Sequence, residues 1–97
     1  MRVITHPKAD QELEEAVFYY EISSPGFGDR FLNEFTKTIS RIVEAPERWR
    51  IIQGNVRKLN LKRFPYAVVY ETRQESIYVI AVMHLRRQPF YWINRVK

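Results

Sequence analysis

The segment "MHLRRQPFYW", Met83 to Trp92, puts His84, Arg86, Arg87 and Tyr91 within one short stretch, directly after the apolar run "IYVIAV". A neutral imidazole near its ordinary pKa can take or give a proton, and arginine forks bind phosphate oxygens bidentately. Together they suit proton transfer on a phosphodiester, or a grip on one. In an extended strand, Ile80, Val82, His84 and Arg86 share one side, while Ala81, Met83, Leu85 and Arg87 share the other. Pro89 marks where strand pairing ends. A second basic group, Arg57, Lys58, Lys62 and Arg63, would join the first in one positive patch if its strand lay beside the last one. Tyr66, Tyr70, Tyr91 and Trp92 are candidate stacking rings for bases. Tyr70 and Tyr78 read better as cross-strand packing, and Phe64 and Trp49 as core anchors.

Other chemistries are excluded by what the sequence lacks. There are no cysteines and only two histidines, His6 and His84, so disulfides, thiolate nucleophiles and zinc-thiolate sites are ruled out and a metal site is not expected. No nucleophilic triad, phosphate-binding glycine loop or dinucleotide fingerprint is present, and no cofactor is expected. The charge is uneven: 16 basic against 11 acidic residues give +5 overall. The acids cluster in "ADQELEEAVFYYE", whereas from Arg48 onward only Glu71 and Glu75 oppose eleven basic residues. Such polarity points to a polyanionic partner for the C-terminal half.

The elements that must position these groups are readable from periodicity. "RVIT" is a short strand that stops at "HP". Pro7 suits the first turn of a helix, whose apolar positions Ala9, Leu13, Ala16, Val17 and Tyr20 recur at helical spacing to about Ile22. "SSPGFG" breaks it, with Ser23 or Ser24 as the cap of a second helix carrying Phe31, Leu32, Phe35, Ile39, Ile42 and Val43 and ending before Pro46. "VRKLNLKRF" alternates, Leu59 and Leu61 facing one way and Lys58, Asn60 and Lys62 the other. "PYAVVYET" and "SIYVIAVMHL" predict an antiparallel hairpin, the second strand central because it is nearly continuous in apolar residues. "PFYWINRVK" forms either a short helix or a ring-bearing cover for the sheet edge. The expected fold class is α+β, β-α-α-β-β-β, in one domain over residues 1–97. No stretch approaches the ~18 apolar residues of a membrane helix, and no apolar region follows the basic N-terminus, so a soluble, cytoplasmic protein is expected.

Assembled in order, "YYE", "PGFGDRFLNEF", "APERW", "VRKLNLKRFPYAVVYE" and "IYVIAVMHLRRQPFYW" resemble the RelE/ParE superfamily of toxins from bacterial type II toxin-antitoxin systems, and its plasmid-stabilisation-like branch. The resemblance implies a helical hairpin packed on a small, mainly antiparallel sheet. It also implies a cytoplasmic toxin held by a cognate antitoxin whose extended C-terminal region wraps it. RelE-like members cut mRNA in the ribosome without a metal, whereas ParE-like members poison DNA gyrase. Carried onto this chain, the first activity is the leading expectation, with Lys58, Arg63, His84, Arg86 and Tyr91 as the catalytic set. Arg57, Lys58, Lys62, Arg63 and Arg87 would then contact nucleic acid. Two positions depart from the nuclease pattern: Asn60 stands where a second alternating lysine is found, and Ala67 follows Tyr66 where an arginine is found. These departures favour the alternative, a non-catalytic inhibitor of DNA gyrase.

Overall fold

The structure, a computed structural model, describes residues 1–96. Strand β1 (Arg2–Thr5) leads into helix α1 (Pro7–Ser23), and α2 (Phe27–Glu44) returns against it. Then come β2 (Arg50–Gln53), β3 (Val56–Asn60), β4 (Tyr66–Arg73), β5 (Ser76–His84) and a short 3-10 helix, Ile93–Val96. The sheet order is β1-β5-β4-β3-β2, with β1 parallel to β5 and every other pair antiparallel. Two helices on a mainly antiparallel sheet bear out the expected α+β class, with one strand more than the sequence reading anticipated. That strand, "RIIQ", is joined to β3 through Gly54 and Asn55, and Gly54 adopts the left-handed φ of 52° that a two-residue hairpin turn needs.

The helical hairpin has local causes. His6 ends β1 by donating its backbone N–H to Val79 O at 2.9 Å, and its Nδ1 accepts from Lys8 N at 3.0 Å, so it caps α1 while Pro7 fills the first turn. The expected serine cap of α2 is not found. Ser23 Oγ donates to Tyr19 O within α1, and the cap position is Gly26, at φ 91°. A carboxylate reaches across instead: Glu21 Oε1 accepts from the N–H groups of Gly26 and Gly28, each at 3.1 Å, meeting the positive end of α2. Gly28 is buried, and a Cβ there would lie 2.9 Å from Val17 O and 3.0 Å from Glu21 Cβ. Gly28→Ala is therefore expected to force the hairpin apart and cost about 1–3 kcal/mol, read as a lower midpoint in urea unfolding.

The sheet carries a core on each face. Between helices and sheet, Phe31 and Ile42 of α2 pack with Leu59, Tyr70, Ile77 and Val82 of the strands, with Tyr20, Phe64 and Tyr66 at one end. On the other side, called here the far face, Val56, Ala67, Val69, Ile80, Ala81 and Met83 gather around Trp92. A β-bulge decides which residue faces where. Val69 pairs with Ala81 but Tyr70 with Val79, so Ile80 is an extra residue in β5. This corrects the expected alternation: Ile80 joins the far-face cluster, and only Val82 and His84 remain on the helix side.

Candidate functional site

Of the candidate residues, His84, Arg86, Arg87 and Tyr91 lie at or after the C-terminal end of β5, and the others are placed by β3 and the loop that follows it. His84, opposite Tyr66, is on the helix side, its ring edge-on to Tyr66 with centroids 5.0 Å apart. Tyr66 in turn meets Phe31 at 5.0 Å, so the imidazole closes one end of an aromatic cluster. His84 Nδ1 accepts from Arg86 N at 3.0 Å, which ties the ring to the turn that follows β5. Strand geometry ends there. Leu85 N donates to Pro65 O and Arg87 N to His84 O, so Arg86 and Arg87 sit in a turn and strand alternation no longer separates them. Arg86 is exposed, while the Arg87 guanidinium lies 3.9 Å from the centre of the Tyr91 ring.

Lys58 occupies the far face. With Arg50, Ile52, Met83, Arg87 and Trp92 it borders a groove of about 340 Å³ whose floor is apolar and whose rim is cationic. Trp92 is only 1% exposed and fills the floor, so its ring is closed to base stacking. Arg57, one residue away from Lys58, faces the opposite side. Its Nη1 donates to Glu47 O at 3.0 Å and Trp49 O at 2.8 Å, while the Tyr70 hydroxyl donates to Pro46 O at 2.6 Å. These bonds tie the connection between α2 and β2 to the sheet. Burial pushes the Tyr70 phenol up to about 12, against a smaller opposing pull from Arg57. Lys62 and Arg63 lie in the loop after β3 and border grooves along α2, away from Lys58. The single positive patch expected from adjacent strands is thus divided between two surfaces.

Tyr91 is held in a cluster that sequence reasoning did not foresee. Its hydroxyl donates to Glu12 Oε2 at 2.8 Å; Arg95 Nη1 and Nη2 donate to the two Glu12 oxygens at 2.9 and 3.0 Å. Glu12 Oε1 also accepts from Val82 N at 3.0 Å, and Arg95 Nη1 reaches Ile80 O at 3.1 Å. These backbone groups belong to β5 beyond Thr5, where β1 has ended, so side chains from α1 and the C-terminal segment close an edge that lacks a strand. Burial, and then the bond to Glu12, raises the Tyr91 pKa well above the usual phenol value. Among the described residues no group of three or more His, Asp or Glu side chains is placed to hold a metal ion.

This architecture agrees with the comparisons. The family model described as "ParE toxin of type II toxin-antitoxin system, parDE" matches residues 3–89. The chain belongs to the ParE toxin family. Within that family, it is 33% identical over 89 residues to Toxin ParE2 of Mycobacterium tuberculosis, in strains CDC 1551 / Oshkosh and ATCC 25618 / H37Rv, covering 91% of this chain and 85% of each relative. A solved structure titled "Chromosomal ParDE TA system from P. aeruginosa" superposes with a TM-score of 0.77 at 14% identity, covering 89% of this chain and 97% of that one. That likeness shows the shared ParE fold. The Glu12 partners Tyr91 and Arg95, and the groove floor at Trp92, lie beyond the last residue that the ParE family model matches.

Proposed function

We propose that this chain is a type II toxin that acts by binding a protein target, DNA gyrase, and that a cognate antitoxin neutralises it by occupying the same kind of surface. One observation carries the choice against RNA cleavage: the side chains on which a cleavage centre would rest do not converge. Lys58 borders the far-face groove, Arg63 lies beside α2, His84 is turned to the aromatic core, and the Tyr91 hydroxyl donates to Glu12. General acid-base catalysis needs its groups within hydrogen-bond reach of one reacting phosphate, and a strongly raised phenol pKa makes Tyr91 a poor source of a base at neutral pH. Asn60 and Ala67 add to this, since neither can supply the missing cation.

Binding asks for different features, and these are present. Ile52, Met83 and Trp92 give the far-face groove an apolar floor, with Arg50, Lys58 and Arg87 around it and Phe90 48% exposed at its border. Aromatic and arginine anchors around an apolar centre are the groups that dominate protein-protein contacts, and a cationic rim suits an acidic, partly apolar segment. Among the described residues no helix is long and apolar enough to cross a membrane. The test pairs two assays on the purified protein. Loss of gyrase supercoiling with trapped gyrase-DNA complexes, and intact mRNA in a translation system, is the expected result. Codon-positioned mRNA cuts abolished by His84→Ala or Arg86→Ala would overturn the reading.

A further inference from the structure

We infer that the outward side of α2, together with the loop Leu61–Pro65, is a second binding surface, and that it takes the phosphodiester backbone of duplex DNA. Arg30, Lys37 and Arg41 follow one another at i, i+7 and i+11, a spacing that keeps all three on one stripe of α2. The stripe runs roughly 16 Å along the helix, a length over which one strand of duplex DNA presents about five phosphates. Lys62 and Arg63 come alongside from the loop. Two grooves result, of about 370 and 530 Å³, and they are continuous because Lys37, Glu34 and Arg63 border both. Arg30 and Phe64 stand at one end, Arg41 and Lys62 at the other.

The charge balance there is one-sided. Five cations border these grooves with one carboxylate, Glu34, which lies 3.9 Å from Lys37 with its side chain mostly covered, while the Lys37 side chain is 73% exposed; a second, Glu44, follows Lys37 at i+7 and ends the stripe beyond Arg41. Arg63 adopts φ 72°, a left-handed conformation that costs a non-glycine residue energy. Its neighbour Phe64 is wedged edge-on against Tyr20 at 4.9 Å and Phe31 at 5.1 Å, so the core holds this backbone and keeps a guanidinium where stability alone would favour glycine.

Duplex DNA fits this surface better than other polyanions. Single strands are gripped by rings that stack on bases, yet the rings here are engaged: Phe64 in the core, Phe27 under Arg30 at 5.3 Å, and Trp49 between Arg41 and Arg48 at 5.2 and 5.6 Å. An acidic peptide would want an apolar floor like that of the far-face groove, where Trp92 and Met83 provide one. What α2 offers is spaced charge on a ridge, the requirement for phosphate contacts without base reading. The inference stands independently of the gyrase assignment, since it rests on a different side of the molecule.

Fluorescence anisotropy of a labelled 20-base-pair duplex of arbitrary sequence, titrated with the purified protein between 50 and 200 mM salt, tests this directly. Five phosphate contacts predict that log affinity falls against log salt with a slope of about −4.5. Lys37→Glu and Lys62→Glu are each expected to weaken binding about tenfold and flatten the slope by about 1, while Arg2→Glu, an equal charge change on the edge strand, shifts affinity less than about twofold. Arg63→Gly should flatten the slope by about 1 without lowering the thermal midpoint, since glycine relieves the strained φ. Four results would each overturn the proposal: no duplex binding at 50 mM salt, an Arg2→Glu loss equal to that of Lys37→Glu, tighter binding of the matching single strand, or equally tight binding of polyglutamate.

Discussion

Trp92→Ala is expected to destabilise the chain by about 3–5 kcal/mol, the range for removing a large aromatic from a packed interior. The indole is 1% exposed and is the largest side chain in the far-face core, where it meets residues of β3, β4 and β5. Little else could fill the space. Ala67 and Ala81 in the same cluster are small, so the lost volume would remain largely as a cavity rather than being closed by neighbours. Domains of this size are stable by only about 5–15 kcal/mol, and the loss would be visible as a large fall in the urea midpoint. Phe90→Ala, two residues away and 48% exposed, is the comparison, with an expected effect below about 1 kcal/mol. Equal losses at the two positions would contradict the packing described for the far face.

Glu12→Ala is expected to cost about 3 kcal/mol by a different route. Removing one partner of a largely buried ion pair leaves the other charge without compensation, and here the Arg95 guanidinium, the Tyr91 hydroxyl and the Val82 N–H would all lose their acceptor. Because the loss is that of stranded donors, combining Glu12→Ala with Arg95→Met should cost clearly less than the sum of the single changes in a double-mutant cycle. The same region sets the alkaline limit. Both Tyr91 and Tyr70 are raised above the ordinary phenol value of 10.0, so the unfolded chain loses these protons before the folded one does. Their contribution is therefore complete below pH 10 and declines as pH rises toward about 12, where Tyr70 titrates in the fold. Unfolding midpoints followed from pH 9 to 11.5 should fall, and less steeply for Tyr70→Phe.

The helical hairpin was legible because Ala9, Leu13, Ala16 and Tyr20, and then Phe31, Phe35, Ile39 and Ile42, repeat at the helical period, with Pro7 in the first turn of α1 and Pro46 beyond the end of α2. β2 was not, since "RIIQ" is four residues on a sheet edge with mostly exposed side chains and no alternation to read. Its one clue was the Gly54-Asn55 pair. The bulge at Ile80 was hidden by the apolar continuity of β5: where every residue is hydrophobic, one extra residue leaves no break in the pattern. Glu12 read as one acid among a solvated set, yet it follows Ala9 by three residues and precedes Ala16 by four. An acid on a buried stripe must find a partner, and that spacing could have singled it out. The basic residues named from sequence were sound as an inventory of charge. Their grouping was not, because it required knowing that Arg57 turns to carbonyls behind the sheet and that Lys62 and Arg63 leave β3 for the side of α2.

The parallel pairing of β1 with β5 sets the order in which this sheet can close as the chain is made. Strand β1, with Arg2 opposite Ser76 and Thr5 opposite Val79, has no strand neighbour until β5 has been made. Tyr91 and Arg95, whose bonds to Glu12 and Ile80 close the rest of that β5 edge, are made later still. Chain-spanning contacts of this kind form slowly and late. A nascent chain can build its helical hairpin before β5 exists, whereas the sheet beneath the far-face groove closes only once β5 has been made.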